Sequence, residues 1–196
     1  MVKRAQHVHI VTHHDADGIT AGAIAKLTCE RCNIDHTIEC VKQLDETLHQ
    51  KISDENHELV WFTDLGSSIT NDWQDITKII TDHHSCPQGS DHPFHLNPHL
   101  FSYDGSTDIS GAGTTYMVAK AVSKKNMDLA GLAIVGAIGD LQDRKNLRLT
   151  GLNRQIIEDG VQKKVLNSSI DLRYFGKETR PLAKLLQYVM TQLSLV

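Results

Sequence analysis

The hydrophobic positions of the chain follow two different periods, and each period predicts a type of element. Residues 7–12 alternate between polar and β-branched side chains, which is typical of a half-buried strand. Residues 34–41 indicate a second strand, and the apolar runs at 59–63 and 76–81 are typical of strands buried on both faces. Residues 86–110 are rich in Pro, Gly, His and Asp and predict a long loop. Helical spacing or small helix-forming residues predict helices over 19–31, 44–52, 113–124, 129–138, 152–166 and 182–195.

Strands that alternate with helices predict an α/β fold. We expect a Rossmann-like domain with a mainly parallel sheet of about five strands and helices on both faces. Residues 1–165 form this domain in our interpretation, and residues 166–196 form a C-terminal helical extension. Asp15, Asp64 and Asp82 each come just after a predicted strand. Ligands bind at the carboxyl edge of such sheets, so the topology predicts that these carboxylates lie in a binding site.

The bulk composition is that of an ordinary globular protein. Of 196 residues, 40% are hydrophobic and 22% are charged, which are common values. No apolar run approaches the roughly 20 residues that span a bilayer, and the start of the chain lacks the apolar core of a signal peptide. We therefore expect a cytoplasmic protein without a membrane partner. The net charge of −4 does not by itself favour nucleic acid, unless bound cations neutralise part of the acidic charge.

The first chemically informative segment is His13-His14-Asp15-Ala16-Asp17-Gly18. Two carboxylates two residues apart, preceded by a histidine, can converge on one or two cations, and Gly18 permits a sharp bend into the following helix. The segment alone is only moderately specific, because capping of that helix by Asp15 or Asp17 explains the aspartates equally well.

Three further segments place metal-competent groups at the ends of apolar elements. Asp82-His83-His84 follows a strand directly, and three such groups are costly there unless they bind a ligand; a solvated turn is the alternative. Asp64 also follows a strand, where an aspartate more often caps a loop. Asp140 ends a buried helix, where an unpaired charge is expensive. Either a cation or a nearby basic side chain would neutralise it.

Taken in order, these segments resemble the four motifs of the DHH phosphoesterases. That family includes RecJ-type exonucleases, oligoribonucleases, cyclic-dinucleotide phosphodiesterases and family II inorganic pyrophosphatases. The resemblance covers roughly residues 7–165, and its specificity comes from four motifs in the right order. The form of the first motif, Leu96-Asn97-Pro98 and the stretch 171–176 are most similar to the archaeal RecJ-like branch. Some members of that branch associate with the GINS replication complex.

The resemblance implies a site for two divalent cations, with Mn²⁺ expected and Mg²⁺ as the alternative. Mixed carboxylate and imidazole ligands suit Mn²⁺ better than Ca²⁺. His84 would contact the scissile phosphate, and Asp82 would orient a histidine. The implied ligands are His13 and Asp15 for one ion, Asp17, His83 and Asp140 for the other, and Asp64 as the bridge between them.

The function that the resemblance implies is hydrolysis of phosphodiester bonds, and we expect a RecJ-like exonuclease that acts on single-stranded DNA. Oligoribonuclease or small-nucleotide phosphodiesterase activity is one alternative. A non-enzymatic replication subunit that binds GINS is another, although such subunits often lose ligands that are all present here. RecJ-like enzymes carry a second, substrate-binding domain after a linker. Residues 166–196 could begin such a linker or form a protein-binding surface, and an ordinary packed helix is the commoner explanation.

Two weaker signals concern phosphate binding. Ser110, Gly111, Ala112 and Gly113 precede a helix, where free backbone N–H groups could hold a phosphate; a plain helix cap is the alternative. Arg154 follows the fourth motif together with other basic residues and could contact a phosphate backbone, although a solvated helix face explains it as well.

A third signal is a partial match to a zinc knuckle. Cys29, Cys32, His36 and Cys40 nearly reproduce its ligand order, but the two later gaps are each one residue short. The same segment reads as the end of a helix followed by a strand. We therefore favour ordinary cysteines.

Overall fold

Five parallel strands form one sheet. A computed structural model of the protein describes residues 1–87, 92–145, 147–169, 179–184 and 187. The strands are β1 (His7–His13), β2 (Asp35–Val41), β3 (Val60–Thr63), β4 (Lys78–Thr81) and β5 (His95–Leu96). Their order in the sheet is β2-β1-β3-β4-β5, and every neighbouring pair is parallel. This arrangement confirms the predicted α/β fold with five strands.

The sequence pattern did not predict β5, which lies inside the predicted loop. Two residues are too short to show a period. The strand exists because of its hydrogen bonds to β4, in which the Ile80 N–H donates to the Phe94 carbonyl at 2.9 Å and the Asp82 N–H donates to the Leu96 carbonyl at 3.2 Å.

The helices agree with the predicted ranges to within a few residues at their boundaries. They are α1 (Ala16–Arg31), α2 (Glu46–Glu55), α3 (Gly111–Val122), α4 (Ala130–Gly139) and α5 (Leu152–Gln162). Most of the helix predicted over 182–195, and the whole stretch 171–176, lie outside the described residues. Within the described part, no helix is both long enough and apolar enough to cross a bilayer.

Different helices cover the two faces of the sheet. On one face, Leu48 and Ile52 of α2 join a buried cluster with Phe62. On the opposite face, Ile10 and Trp61 pack with residues of α1 and α3. Helix α4 contacts α1 and α3, and α5 contacts α4 and α3. The alternating side chains of the strands therefore divide between two buried layers, which confirms that helices lie on both faces.

The strand order reverses between β1 and β3. The chain leaves β1 toward β2 on one side and later returns to pair β3 on the other side. Connections that leave in opposite directions open a crevice beyond the carboxyl ends of the strands. His13 is the last residue of β1, and Asp64 directly follows β3, so two of the predicted ligands flank this crevice.

Small residues let α4 approach α1 and α3 closely. A Cβ atom at Gly136 would lie 2.4 Å from Oδ1 of Asp17, and 2.6 Å from both Oγ1 of Thr20 and Cβ of Ala112. No side chain fits in this space, so the glycine at this helix junction determines where the carboxylate of Asp17 can lie.

We predict that Gly136→Ala lowers the free energy of unfolding by about 1–3 kcal/mol because the new methyl group overpacks the junction. The matched control is Gly131→Ala in the same helix, where the nearest atom lies 4.0 Å from an added Cβ. Alanine favours helix by up to about 1 kcal/mol over glycine, so the control should be neutral or stabilising. Urea denaturation of both variants measures the difference, and equal effects would contradict the close approach.

Candidate metal centre

The six predicted ligands come from different segments and meet at the carboxyl edge of the sheet. In three groups of side chains, one ligand atom from each member lies within 4.8 Å of the others. The groups are His13, Asp15 and Asp64; Asp17, His83 and Asp140; and Asp64, His83 and His84. The first two groups have the same members as the two ligand sets implied by the sequence. Asp64 is shared between the first and third groups.

Asp64 is the most constrained residue of the cluster. It is 1% exposed, and neither carboxylate oxygen accepts a hydrogen bond from any described residue. Its φ of 60° lies in the left-handed region, which is costly for a residue with a Cβ atom. A Cβ atom at Gly111 would lie 2.2 Å from Oδ1 of Asp64, so only glycine fits beside it. Burial raises the pKa of Asp64 to about 8, because the interior disfavours its charged form.

His83 presents one particular nitrogen to this carboxylate. Its Nδ1 lies 2.7 Å from the carbonyl oxygen of Gly105 and must donate to it. In the neutral ring, Nε2 then carries a lone pair, and it lies 3.2 Å from Oδ1 of Asp64 and 3.7 Å from Oδ2 of Asp17. Lone pairs that face each other repel, and a cation or a proton between them removes the repulsion. Burial opposes protonation, but the contact with Asp64 and the charge of Asp17 raise the pKa of His83 to about 10.

Asp17 is held by the first turn of α3 and not by its own helix. Its Oδ2 accepts a hydrogen bond from the Gly111 N–H at 2.7 Å, and its Oδ1 accepts one from the Ala112 N–H at 3.0 Å. The hydroxyl of Ser110 accepts the Gly113 N–H at 3.2 Å. Of the two readings of residues 110–113, this geometry supports the helix cap. These N–H groups serve an aspartate of the centre, so the expected direct contact of the turn with a substrate phosphate has no support.

Asp15 combines capping with the geometry of a ligand. It is the N-cap of α1, and its Oδ1 accepts the Gly18 N–H at 2.8 Å. Its Oδ2 lies 2.9 Å from Nδ1 of His13, which in turn lies 3.6 Å from Oδ2 of Asp64. Capping of α1 and binding of a cation are therefore compatible roles for Asp15, because each uses a different oxygen of the same carboxylate.

Asp82 positions His84. Its buried Oδ1 lies 2.7 Å from Nδ1 of His84, and its Oδ2 accepts the Ser67 N–H at 2.9 Å. Burial tends to raise the pKa of Asp82, but the hydrogen bonds and charge of His84 and the Ser67 N–H hold it well below its usual range. Because Nδ1 of His84 is engaged, Nε2 is its free nitrogen. The Nδ2 of Asn97 donates to the His84 carbonyl at 2.9 Å and to Oγ of Ser67 at 2.8 Å, which further fixes this segment.

Gln142 is a buried residue that sequence reasoning missed. Its Nε2 donates to the Gly105 carbonyl at 2.8 Å and to Oδ2 of Asp140 at 2.9 Å. Its Oε1 accepts Nδ2 of Asn153 at 2.7 Å. The side chain thus ties Asp140 to the same carbonyl that orients His83. Its place two residues after Asp140 was the one available signal, and a glutamine carries no charge pattern that would have drawn attention to it.

The cluster opens into a cleft of about 300 Å³. Its walls include His13, Asp64 and His84 from the cluster, and Lys42, an exposed residue just after β2. Lys42 is a cation at the mouth of an acidic site, and it was not singled out from the sequence because it belongs to no motif.

Other sequence candidates are not brought to this cleft. Arg154 is exposed on α5 and lines a separate depression with Ile157 and Asn167. All four cysteines are free: Cys29 is buried in α1, whereas Cys40 is exposed on β2. Within the described residues, no metal-competent group contains a cysteine.

The fold and the cluster together define an α/β protein with metal-competent side chains gathered at the carboxyl edge of a parallel sheet. The family model described as "DHH family, N-terminal domain" matches residues 7–137. This match covers more than half of the chain. The chain therefore belongs to the DHH family, as the sequence motifs indicated.

Two curated relatives match most of this chain. An uncharacterized protein of Methanocaldococcus jannaschii is 33% identical over 178 residues, which are 86% of this chain and 40% of that protein. A putative prophage-derived single-strand DNA-specific exonuclease of Bacillus subtilis is 28% identical over 166 residues, which are 76% of this chain and 27% of that protein. The chain thus spans less than half the length of either relative.

Solved structures confirm the fold. RecJ from Thermus thermophilus, in complex with Mn²⁺, matches with a TM-score of 0.64 and 21% identity over 82% of this chain and 25% of that chain. CDC45 from Entamoeba histolytica matches with a TM-score of 0.53 and 17% identity over 83% of this chain and 35% of that chain. At these identities the likeness shows the shared architecture and no more.

The burial of Asp64 predicts how stability changes with pH. Its pKa is about 8 in the folded protein against about 3.9 in an unfolded chain, so the folded state binds more protons between these values. The contribution of Asp64 to the free energy of unfolding is therefore most favourable below about pH 4, and it decreases as the pH rises toward 8. The raised pKa of His83 lowers the free energy of unfolding further as the pH rises above the value at which a free histidine titrates.

We therefore expect Asp64→Asn to flatten the decline in unfolding free energy between pH 5 and about pH 8, measured by urea denaturation in EDTA. Asp64→Ala provides a second variant without a carboxylate. If the unfolding free energies of wild type and variants change with pH in parallel, ionisation of Asp64 does not destabilise the folded state.

Proposed function

We propose that this chain is the metal-binding domain of a phosphodiester hydrolase that acts on single-stranded DNA as a RecJ-like exonuclease. The observation that carries the proposal is the buried carboxylate of Asp64, which lies between two groups of metal-competent side chains and accepts no hydrogen bond from the described residues. A buried charge without a partner is expensive, and a cation shared by both groups removes the cost. The similarity to a putative single-strand DNA-specific exonuclease of Bacillus subtilis supports the choice of substrate.

The donor set fits divalent cations. His13, Asp15 and Asp64 would hold one ion, and Asp17, His83 and Asp140 would hold a second, with Asp64 between them. Carboxylate oxygens combined with imidazole nitrogens suit Mn²⁺, and Mg²⁺ is the alternative; RecJ structures with Mn²⁺ and with Mg²⁺ are among the similar folds. Divalent cations in this centre would neutralise phosphate charge and activate water for hydrolysis.

The chain's own residues supply orientation. The Gly105 carbonyl fixes which nitrogen of His83 faces the centre, and Asp82 does the same for His84. His84 is 58% exposed at its side chain and offers Nε2 to a scissile phosphate at the cleft. Lys42 at the mouth of the cleft offers a contact to a neighbouring phosphate of the strand.

We predict that Asp64→Asn abolishes Mn²⁺-dependent hydrolysis and that His84→Ala reduces kcat/KM by about 10²–10³-fold, the usual cost of losing a group that stabilises transition-state charge. The matched control is Asp35→Asn, an exposed carboxylate at the start of β2, which should retain full activity. Rates are measured on a short oligonucleotide and on a long single strand, with Mn²⁺ and with EDTA.

The choice of substrates separates the alternatives. Faster hydrolysis of short RNA or a dinucleotide than of DNA would replace the exonuclease with an oligoribonuclease or small-nucleotide phosphodiesterase. Activity of Asp64→Asn equal to wild type would contradict the proposed centre.

A second candidate is a non-enzymatic replication subunit that binds GINS. The similarity to the fold of CDC45 favours it, whereas the complete set of metal-competent residues favours an enzyme. Absence of hydrolysis on every substrate, together with tight binding of GINS, would select the scaffold.

A further inference from the structure

A second cluster of imidazole and carboxylate groups lies toward the amino end of the sheet. His9 is in β1, four residues before His13, which places it roughly 13 Å along the strand from the candidate metal centre. Glu55 ends α2, and His57 lies in the turn between α2 and β3. One ligand atom from each of His9, Glu55 and His57 lies within 4.8 Å of the others.

His9 contributes a buried nitrogen that forms no hydrogen bond within the described part of the chain. The residue is 5% exposed, and its Nδ1 lies 2.8 Å from Oγ1 of Thr37. Its Nε2 is buried and forms no hydrogen bond with any described residue. Burial, helped by the nearby charge of His57, lowers the pKa of His9 to about 4, so the ring is neutral near pH 7. When Nδ1 carries the proton, the lone pair of Nε2 is available to a metal ion.

The other two ligands lie next to this nitrogen. The ring of His57 stacks on that of His9, with centroids 4.1 Å apart and planes 4° apart, and its Nε2 lies 2.7 Å from Oε2 of Glu55. Stacked rings direct their lone pairs side by side. Coordination of one ion therefore requires the His57 ring to rotate out of the stack so that the two lone pairs converge. This is a change at a single side chain in a turn.

The charges around the cluster favour a cation. Oε2 of Glu39 lies 3.7 Å from Nε2 of His9, and both carboxylate oxygens of Glu39 accept hydrogen bonds from Nζ of Lys51, at 2.7 and 2.8 Å. The two carboxylates of Glu39 and Glu55 and the one ammonium group of Lys51 leave one net negative charge around the buried ring of His9.

We propose that His9, His57 and Glu55 form a second metal site that binds Zn²⁺. Two imidazoles and one carboxylate are a ligand set typical of zinc, and three protein ligands leave a fourth position for water. Zinc at this site links His57, in the connection after α2, to His9 in the middle of β1. The inference rests on this cluster alone and does not depend on the proposed hydrolase activity.

The test counts zinc ions by isothermal titration calorimetry with ZnCl₂. Every protein carries Asp64→Asn, which weakens competing binding at the candidate metal centre. His57→Ala should lose one bound Zn²⁺ per chain, and Glu55→Gln, an exposed position, should weaken that site at least about tenfold. The matched control is His49→Ala, because His49 lies on the same helix but bonds to Asp75 outside the cluster; it should bind Zn²⁺ like its parent.

Imidazole NMR provides a readout that a loss of folding would not imitate. On addition of Zn²⁺, the ring nitrogen signals of His9 and His57 should shift together in the parent protein, and the His9 signal in Glu55→Gln should need at least about tenfold more Zn²⁺ for the same shift. Unchanged stoichiometry and affinity in both His57→Ala and Glu55→Gln, or a His9 signal that never responds to Zn²⁺, would overturn the proposal.

Discussion

The centre depends on one buried charge, the carboxylate of Asp64. The residue is almost fully buried, has a left-handed backbone conformation, and receives no hydrogen bond from the described residues. Each of these features costs stability. Positive charge in the space between Asp64 and its histidine neighbours would offset these costs. His13 and His83 approach the two oxygens from different sides, so the same carboxylate can serve two adjacent cations.

The surrounding fold keeps this charge in place by close backbone contacts. Gly111 is the residue that fits against Asp64, and Gly136 is the one that fits against Asp17. The first turn of α3 uses its N–H groups to hold Asp17, and an anion at a helix N-terminus is favourable. Helix packing and ligand geometry are therefore coupled, because a methyl group added at Gly136 would collide with the carboxylate of Asp17.

Local patterns in the sequence predicted most of the architecture because the strands of a covered parallel sheet are strongly apolar and end at polar residues. The runs 59–63 and 76–81 located β3 and β4, and the residues after them located Asp64 and the Asp82-His83-His84 segment. β5 was missed because it consists of two residues defined by pairing to β4. The partners of the site residues were also missed. Gly105 and Gln142 act through carbonyl and amide groups that many loops contain, and only tertiary contact reveals that they touch a ligand residue. Asn97 was noted as part of a motif, but its hydrogen bond to the His84 carbonyl was not predicted.

Residues 110–113 also show that the sequence does not predict which residues a segment contacts in the folded protein. A serine and glycines before a helix predict free N–H groups, but the sequence does not say which anion accepts from them. In the folded protein that anion is Asp17, which lies more than ninety positions earlier in the chain. The helix that begins at this turn was thus predicted, whereas the partner of its N–H groups depended on a helix packing that no local pattern encodes.

The most direct test of the account is anomalous diffraction from crystals of the protein grown with Mn²⁺. We expect two manganese peaks about 3.5–4 Å apart, with Asp64 in contact with both. His13 and Asp15 would lie on one side, and Asp17, His83 and Asp140 on the other. A centre without manganese at saturating concentration, or a single ion that does not touch Asp64, would contradict it.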